Sequence, residues 1–439
     1  ITTLEFPFVF RVYFKSFVDD FIKSLYFCIK HHPFTFLFDE DFMIVKPLVR
    51  SNICLNAHPK GCAKDVENQI EYILQKKKSR AFTEKPKTVV ILGASTGYGL
   101  ASRITAAFGY DALTIGVSFE REGGLKKSAS PGWYNNLAFD ACAKKMNLES
   151  YTFNIDAFSE EACDTVIEKL KSLNKKADLV IYSIASPVRT DPESGVFYKS
   201  VLKPIQQNFE GNTIDILSSK FSPVKVEPAT EEEIQNTVKV MGGEDWERWI
   251  HKMQKASVLA PQVKTIAYSY VGPELSHAIY RNGTIGEAKK HLEATAKTLN
   301  QYLSQSVGGE AFVSINKGLV TRSSTVIPIM PFYISILYKV MKRKNTHEDC
   351  IAQCERLFAE RLYTGNPIPV DENGLIRIDE FEMDPSVQEE VAQTMKEITE
   401  ENLYELSDFK GFLKDFYTIH GFDVDGIDYS QALERLDQI

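Results

Sequence analysis

The sequence predicts an α/β fold, a doubly wound parallel sheet with helices on both faces. Three features of the chain predict it. Short apolar runs alternate with stretches of helical periodicity from residue 43 onward, the runs are rich in β-branched residues, and the first of them leads directly into a group of glycines. No apolar run in residues 1–42 approaches the ~20 residues of a membrane span.

The composition bounds the class of protein. The 439 residues carry a net charge of −8 at pH 7, so we expect no nucleic-acid partner, and the short apolar runs predict no membrane partner. The seven cysteines are scattered without a C-x-x-C pair, which favours a reducing compartment, the cytoplasm. His347, Cys350 and Cys354 have helical spacing and could contact a metal, but no second ligand cluster completes a site, so we predict a plain helix face and no metal.

The first 42 residues differ from the rest in composition. They are dense in phenylalanine, they contain acidic residues that a transit peptide lacks, and the first methionine is Met43. We interpret residues 1–42 as translated upstream sequence, with an organelle-targeting leader as the alternative. Residues 43–439 are predicted to form a single domain.

The predicted strands follow one another as in a sheet with crossover helices. In order they read TVVILGAS, DALTIGVSFE, ESYTFNIDAFS, ADLVIYSIAS, VKTIAYSYVG and AFVSINKGLVT. Residues 187–262 interrupt the alternation after the fourth strand, and KVMGGEDWERWIHKM predicts a helix there that carries Trp246 and Trp249. We expect this helical insertion and a C-terminal helical region over residues 326–439 to lie on the substrate side.

Glycines after the first strand predict a nucleotide site. Gly93, Gly97 and Gly99 have the spacing G-x-x-x-G-x-G between a strand and a helix, where the backbone can approach a pyrophosphate at the helix N-terminus. A purely structural turn is the alternative. Glu120 follows the second strand, where a carboxylate would bind ribose hydroxyls and repel a 2′-phosphate, favouring NADH over NADPH. Arg121 could soften this preference, and an exposed strand-end acid is the bland alternative.

The glycine spacing resembles that of short-chain dehydrogenases and reductases, which use a tyrosine and a lysine beside the nicotinamide. Tyr280 and Lys289 follow the fifth strand and are nine positions apart, so one straight helix would place them on opposite sides. The spacing therefore requires the tyrosine to lie in a loop before the helix, and we expect Thr284 to cap that helix. The Tyr-x3-Lys pair formed by Tyr338 and Lys342 lies after the sixth strand, in the wrong place for this sheet.

The Tyr-x8-Lys motif in IYRNGTIGEAKKHLEATA resembles that of the trans-2-enoyl-CoA reductases and the related V-type enoyl-acyl-carrier-protein reductases. The resemblance extends from Met43 to Ile439 and includes GYGLASRITAAFGY, PGWYNNLAFD, SIASPVRTDP, KVMGGEDWERWI, NKGLVTRSS and GFDVDGIDY. It implies a monomeric, NADH-dependent reductase of the carbon–carbon double bond of acyl thioesters, built on a Rossmann-type sheet.

The resemblance also implies residue roles. Tyr280 would be the proton donor, Lys289 the catalytic lysine that also holds the cofactor, and Tyr270 a substrate contact, with a strand-end core aromatic as the alternative for Tyr270. The implied cofactor contacts, from pyrophosphate to nicotinamide carboxamide, are Gly93, Ala94, Ser95, Thr96, Gly97, Tyr98, Phe119, Glu120, Asp156, Ala157, Ile184, Ala185, Leu319, Val320 and Thr321.

The residue types suit this chemistry. Hydride addition at C3 of a 2-enoyl thioester builds negative charge on the thioester oxygen, which a phenol can stabilise before a proton reaches C2. A nearby lysine cation is expected to lower the tyrosine pKa and to hold ribose hydroxyls. A carbonyl reductase and an NADH-binding protein without turnover remain alternatives, and the choice between CoA and carrier-protein thioesters stays open.

Overall fold

Seven parallel strands form the central sheet in this computed structural model, which describes residues 43–79, 84–325 and 327–439. The strands are β1 (Thr88–Leu92), β2 (Leu113–Ser118), β3 (Ser150–Asn154), β4 (Ala177–Tyr182), β5 (Leu259–Ser269), β6 (Glu310–Ile315) and β7 (Leu375–Arg377). Their order across the sheet is 7-6-5-4-1-2-3, and every neighbouring pair is parallel. The chain winds outward from the centre in both directions, which confirms the doubly wound fold.

Helices cover both faces of this sheet. In chain order the α-helices of the described residues are α1 (Pro59–Lys78), α2 (Gly97–Ile104), α3 (Pro131–Lys145), α4 (Glu160–Ser172), α5 (Glu231–Met241), α6 (Glu244–Lys255), α7 (Glu274–His277), α8 (Thr284–Ser306), α9 (Met330–Arg343), α10 (Cys350–Leu357), α11 (Pro385–Glu397), α12 (Leu403–Leu406) and α13 (Phe409–Thr418). Helices α4, α6 and α8 pack in one core cluster with one face of the sheet. Strand residues of the opposite face pack with residues at the end of α10, and α1, α2 and α3 share a further cluster with α10.

The central strand β1 shows why the apolar runs become strands. All five of its residues are buried, and they alternate between two cores. Val90 and Leu92 pack with α4, α6 and α8, whereas Val89 and Ile91 pack on the other side. A strand buried on both faces needs a continuous apolar run rather than an alternating pattern, and TVVIL provides it.

The interruption between β4 and β5 differs from the predicted helical insertion. Two antiparallel ribbons occupy its first part, one formed by Val188–Thr190 and Phe197–Lys199 and the other by Phe209–Ile214 and Phe221–Val226. The six predicted strands also leave out β7, which extends the sheet from within the supposedly helical C-terminal region. The three-residue strands are too short to produce a clear pattern, and the six-residue strands FEGNTI and FSPVKV lack the continuous apolar run that marks the buried strands of the central sheet.

The tryptophan-bearing stretch forms two helices instead of one. The chain turns at Gly242 and Gly243, where the Gly243 N–H donates to His291 Nδ1 at 3.0 Å and an added Cβ on Gly243 would overlap Thr295. Glycine therefore lets the start of α6 lie against α8. Trp246 and Trp249 are fully buried in the core cluster that covers the sheet, so α6 serves as the crossover helix between β4 and β5.

None of the helices within the described ranges combines the length and the apolar character that crossing a bilayer requires. The interpretation of residues 1–42 as upstream sequence concerns a segment outside the described residues and stays a prediction.

Candidate active site

The predicted site residues collect along one edge of the sheet. Each group follows the carboxyl end of a strand: 93–98 after β1, 119–120 after β2, 156–157 after β3, 184–185 after β4, and 319–321 after β6, while Tyr270 directly follows β5. Because all seven strands are parallel, these ends share one edge, which is where ligands of doubly wound sheets bind. Residues as far apart in sequence as 93 and 321 thereby become neighbours.

The turn after β1 leaves no room for a side chain at two of its glycines. Gly93 has φ +88°, and an added Cβ would overlap the carbonyl oxygen of Ser183 at the end of β4. An added Cβ on Gly99 would overlap the carbonyl oxygen of Gly93. Both glycines are therefore required for the turn to close against β4.

Helix α2 begins directly after this turn with its N-terminus free of competing groups. Thr96 occupies the N-cap position without making a side-chain capping bond, and no acidic residue lies in the first turn. An uncapped helix N-terminus beside a glycine turn suits the diphosphate of a dinucleotide. The residues present therefore fit NADH, and the backbone of 93–98 has the shape that a pyrophosphate would require. The Tyr98 hydroxyl donates inward to Lys317 O at 2.9 Å, which leaves only the backbone of Tyr98 for the predicted contact.

Glu120 is held in place by three neighbours. Ser95 Oγ donates to Glu120 Oε1 at 2.6 Å, Arg322 Nη1 lies 3.3 Å from the same oxygen, and an added Cβ on Gly132 would overlap the carboxylate. The glycine of the PGWYNN motif thus makes space for Glu120. The arginine that contacts Glu120 is Arg322, a residue that the sequence analysis did not single out.

The remaining adenosine-side residues line the same edge. Phe119 is 75% exposed, an unusual position for a large aromatic side chain and one that a stacked ring would cover. The carbonyl oxygen of Ala157 already accepts from Trp249 Nε1 at 2.9 Å, and Asp156 Oδ1 accepts from the Phe158 N–H at 3.0 Å. Ile184 and Ala185 follow β4 in an extended segment, half-buried and exposed respectively.

The segment after β6 faces the glycine turn. An added Cβ on Gly97 would lie 3.8 Å from Thr321 Cγ2, so the two loops are in van der Waals reach. Leu319 and Val320 are buried. The N–H groups of Val320 and Thr321 donate to Tyr338 OH at 3.3 Å and Ser324 Oγ at 2.9 Å, which fixes the backbone of the predicted carboxamide segment.

Tyr280 lies in a turn before α8, as the Tyr-x8-Lys spacing requires. The Tyr280 carbonyl accepts from the N–H groups of Gly283 at 3.1 Å and Gly286 at 3.0 Å. An added Cβ on Gly286 would overlap the Arg281 carbonyl oxygen, so this glycine lets the turn fold onto the helix. The predicted cap is wrong: Gly283 is the N-cap residue, and Thr284 donates its hydroxyl to the Val201 carbonyl.

The two predicted active-site tyrosines are in contact. The rings of Tyr270 and Tyr280 are 5.2 Å apart at 72°, an edge-to-face arrangement. The Tyr270 hydroxyl donates to Glu382 Oε1 at 3.0 Å, and both interpretations of Tyr270, as a substrate contact and as a strand-end core aromatic, stay open. For the Tyr280 hydroxyl, no hydrogen-bond partner is found among the residues in the described ranges.

A bidentate ion pair fixes the tyrosine turn to the lysine helix. Arg281 Nη1 and Nη2 donate to the two carboxylate oxygens of Glu293 at 2.6 and 3.1 Å. Glu293 lies one helical turn after Lys289, on the same side of α8. Because Arg281 directly follows Tyr280, this pair sets where Tyr280 lies relative to Lys289. Lys289 Nζ donates to the carbonyl oxygen of Tyr268 on β5 at 3.5 Å.

The expectation that Lys289 lowers the pKa of Tyr280 is wrong. Burial raises the pKa of Tyr280, and the cation that opposes this shift is Arg281. Burial lowers the pKa of Lys289 to about 8, against the opposing charge of Glu293. Tyr280 therefore keeps its proton throughout the physiological range, which suits a hydrogen-bond and proton donor.

Sequence reasoning missed Glu382, Arg322 and the pair of Arg281 with Glu293. Glu382 lies 112 residues from its partner Tyr270, and Arg322 lies 202 residues from Glu120, so no local spacing connects them. The arginine after Tyr280 was a detectable signal, because a charged residue beside a buried tyrosine needs a partner.

Three family models match the chain. They are described as the NAD(P)H binding domain of trans-2-enoyl-CoA reductase over residues 44–124, the trans-2-enoyl-CoA reductase catalytic region over residues 127–363, and an enoyl reductase FAD binding domain over residues 370–433. The first two models cover the glycine turn and the tyrosine–lysine corner, by which we mean the turn that carries Tyr280 and the part of α8 that carries Lys289.

The residues of the third match do not fit a flavin dinucleotide. Asp379, Glu380 and Glu382 follow β7, where a diphosphate would need N–H donors rather than carboxylates. Each of them is engaged by protein groups, Asp379 by Arg377 and Glu380 by Arg361 at 2.6 Å. The strand leads into no glycine turn like that after β1, and the segment instead completes the sheet.

Relatives and solved structures agree with these matches. The chain is 54% identical over 400 residues to the trans-2-enoyl-CoA reductase (NADH) of Treponema denticola, covering 90% of this chain and 100% of the relative. It is 52% identical over 387 residues to the enoyl-acyl-carrier-protein reductase (NADH) of Flavobacterium johnsoniae, covering 88% and 96%.

The fold matches crystal structures of such enzymes. The T. denticola trans-2-enoyl-CoA reductase in complex with NAD aligns with a TM-score of 0.88 at 54% identity over 90% of this chain and 100% of that chain. A Clostridium trans-2-enoyl-CoA reductase in complex with NADH aligns with a TM-score of 0.86 at 47% identity over 89% and 98%. The glycine turn, the tyrosine–lysine corner and these similarities together place the chain in the trans-2-enoyl-CoA reductase family.

Proposed function

We propose that this protein reduces the carbon–carbon double bond of trans-2-enoyl thioesters with NADH. The observation that carries the proposal is Tyr280, a buried and protonated phenol without a protein hydrogen-bond partner in the described ranges, at the sheet edge that also carries the glycine turn. A phenol that donates to no protein group keeps its proton available for a ligand oxygen.

The residues divide the chemistry between them. Bound NADH supplies the hydride that adds to C3 of the enoyl group. Tyr280 donates a hydrogen bond to the thioester oxygen, where negative charge develops, and so stabilises the enolate before C2 is protonated. Lys289 holds the ribose hydroxyls of the nicotinamide side. The backbone of residues 93–98 binds the pyrophosphate, and Glu120 binds the adenosine ribose.

The substrate class follows from the relatives, whose names include both CoA and carrier-protein thioesters. We propose enoyl-CoA as the primary substrate and an enoyl carrier protein as a further one. The enzyme is proposed to act as a monomer, as the family resemblance implies. It is proposed to act in the cytoplasm, since the cysteines of the described residues are free rather than paired and suit a reducing compartment. Light scattering of the purified protein tests the monomer.

The test is NADH consumption by the purified protein without added flavin. We expect turnover with crotonyl-CoA, slower or comparable turnover with a crotonyl carrier protein, and none above background with acetoacetyl-CoA. Faster turnover of acetoacetyl-CoA would favour the carbonyl reductase instead. NADH binding without turnover of any thioester would favour the non-catalytic alternative, and either result would contradict the proposal.

A further inference from the structure

A buried carboxylate that the proposed chemistry does not use lies directly behind the tyrosine pair. Glu382 is fully buried and comes from the segment after β7, far in sequence from the rest of the site. Both of its carboxylate oxygens are engaged: Oε1 accepts from Tyr270 OH at 3.0 Å and Tyr333 OH at 2.6 Å, and Oε2 accepts from the Gly318 N–H at 2.6 Å. Burying a carboxylate is costly unless it has such partners.

Two of these contacts hold Glu382 itself in place. Tyr333 lies on α9, and Gln388 on α11 donates both to the Tyr333 hydroxyl at 3.0 Å and to the Glu382 carbonyl at 2.6 Å. The Gly318 N–H fixes the second carboxylate oxygen. The third contact, with Tyr270, is the one that reaches the active site.

The hydrogen bond determines what Tyr270 can do. A phenol has one proton to donate, and Tyr270 gives it to Glu382, so Tyr270 has none left for a substrate oxygen. The space around the pair is closed as well: an added Cβ on Gly318 would lie 3.1 Å from Tyr270 OH and 3.2 Å from Glu382 Oε1. The Tyr270 ring is thereby fixed, and its edge-to-face contact with Tyr280 transmits that position to the proton donor.

We propose that Glu382 is a positioning residue that anchors the Tyr270 hydroxyl, so that Tyr270 fixes the ring of Tyr280 and Tyr280 alone donates to the thioester. This inference rests on the proposed function, since enoyl reduction is its readout. Tyr270 and Glu382 act as one unit: weakening either end of their bond releases the same constraint. A displacement of about 1 Å at a reacting group can cost about a hundredfold in rate.

The test is a double-mutant cycle of Glu382→Gln and Tyr270→Phe, with kcat and KM for crotonyl-CoA and the Kd for NADH. Glu382→Gln is expected to lower kcat about ten- to hundredfold, with less than about threefold change in KM or Kd. In the Tyr270→Phe background the same substitution should change kcat less than about threefold, because the anchored hydroxyl is already absent. Glu380→Gln is the matched control, because it makes the same Glu-to-Gln change two residues earlier in the chain. Glu380 pairs with Arg356 and Arg361, so this substitution should leave kcat intact.

A second variant covers the case in which Glu382→Gln does not fold. Gly318→Ala keeps every bonding group but crowds the Tyr270–Glu382 contact, and it should lower kcat more when Tyr270 is present than in the Tyr270→Phe background, where only the contacts with the ring and with Glu382 remain crowded. Equal losses in both Tyr270 backgrounds, or no loss from either variant, would overturn the inference while leaving the proposed function standing. Absence of crotonyl-CoA turnover by the wild-type protein would overturn both.

Discussion

The proposed cofactor half of the sheet edge, after β1 to β4, and the proposed catalytic half, after β5 to β7, are built in different ways. After β1 to β4 the site consists mainly of backbone: glycines whose missing Cβ atoms leave room, an uncapped helix N-terminus, and carbonyl and N–H groups at strand ends. After β5 to β7 it consists of side chains that contact one another, with Tyr270 on Tyr280, Arg281 on Glu293 and Glu382 on Tyr270.

This difference predicts which kind of substitution impairs each half. A diphosphate is recognised by N–H groups that any sequence supplies, provided the backbone takes the right shape. An enolate needs one donor in one position, which only a fixed side chain provides. Backbone changes should therefore damage cofactor binding, and conservative side-chain changes should damage turnover.

Removing the Tyr280 hydroxyl is expected to have the largest effect. Tyr280→Phe should lower kcat and kcat/KM about 10²- to 10⁴-fold, the usual contribution of a positioned general acid, because the hydroxyl acts only as charge develops. NADH affinity should change less than about threefold, which a fluorescence titration measures. Turnover within a few-fold of the wild type would show that Tyr280 is not the donor.

Adding a single methyl group to the glycine turn after β1 should damage NADH binding rather than turnover. Gly93→Ala is expected to weaken NADH binding at least about tenfold and to lower the melting temperature, since the new Cβ overlaps the Ser183 carbonyl and alanine at positive φ alone costs about 1–2 kcal/mol. Gly308→Ala is the control, because Gly308 also has positive φ (+67°) but an added Cβ meets nothing within 4 Å. Comparable effects from the two substitutions would contradict the close-packed turn.

Glu120→Ser should reduce the preference for NADH over NADPH about tenfold, mostly by improving NADPH. Two unit charges ~4 Å apart cost roughly 1–4 kcal/mol, which corresponds to about fivefold to several hundredfold discrimination. Arg322, released from Glu120, can then face the 2′-phosphate, so adding Arg322→Met should cancel part of the gain. The ratio of kcat/KM for the two cofactors decides, and an unchanged ratio would mean that Glu120 does not discriminate.

Lys289 predicts opposite pH effects on binding and on stability. With a pKa lowered to about 8, Lys289 loses its charge above that pH, and NADH affinity should fall several-fold between pH 7.5 and 9. The unfolded lysine keeps its proton to about 10.4, so over this range the folded state binds fewer protons and the contribution of this group to stability rises with pH. Lys289→Arg should abolish both trends, and a pH-independent Kd in the wild type would argue against an ammonium–ribose contact.

The smallest effect is expected from removing residues 1–42. A protein that begins at Met43 should fold, bind NADH and turn over like the longer form, because the edge described above is built entirely from later residues. Loss of soluble protein or of activity would contradict the interpretation of this segment as translated upstream sequence.

The same division explains what the sequence could predict. The first six strands, the glycine turn and the tyrosine before α8 depend on local signals such as apolar runs, glycine spacing and a Tyr-to-Lys distance that a single helix cannot satisfy. Strand β7 has only three residues and lies at the sheet edge, so no hydrophobic pattern in the sequence predicts it. The contacts of Glu382 with Tyr270 and of Arg322 with Glu120 join residues more than 100 positions apart, and only folding reveals them.

The late position of Glu382 has a consequence for the protein during its synthesis. The strand ends that receive the cofactor have all left the ribosome, apart from the carboxamide segment, about 200 residues before Glu382 does, which at ~5–20 residues per second is roughly 10 to 40 seconds. The residues of the proposed dinucleotide cradle are therefore synthesised before the carboxylate that anchors the tyrosine pair. That anchor is absent from any chain that has not been translated as far as Glu382.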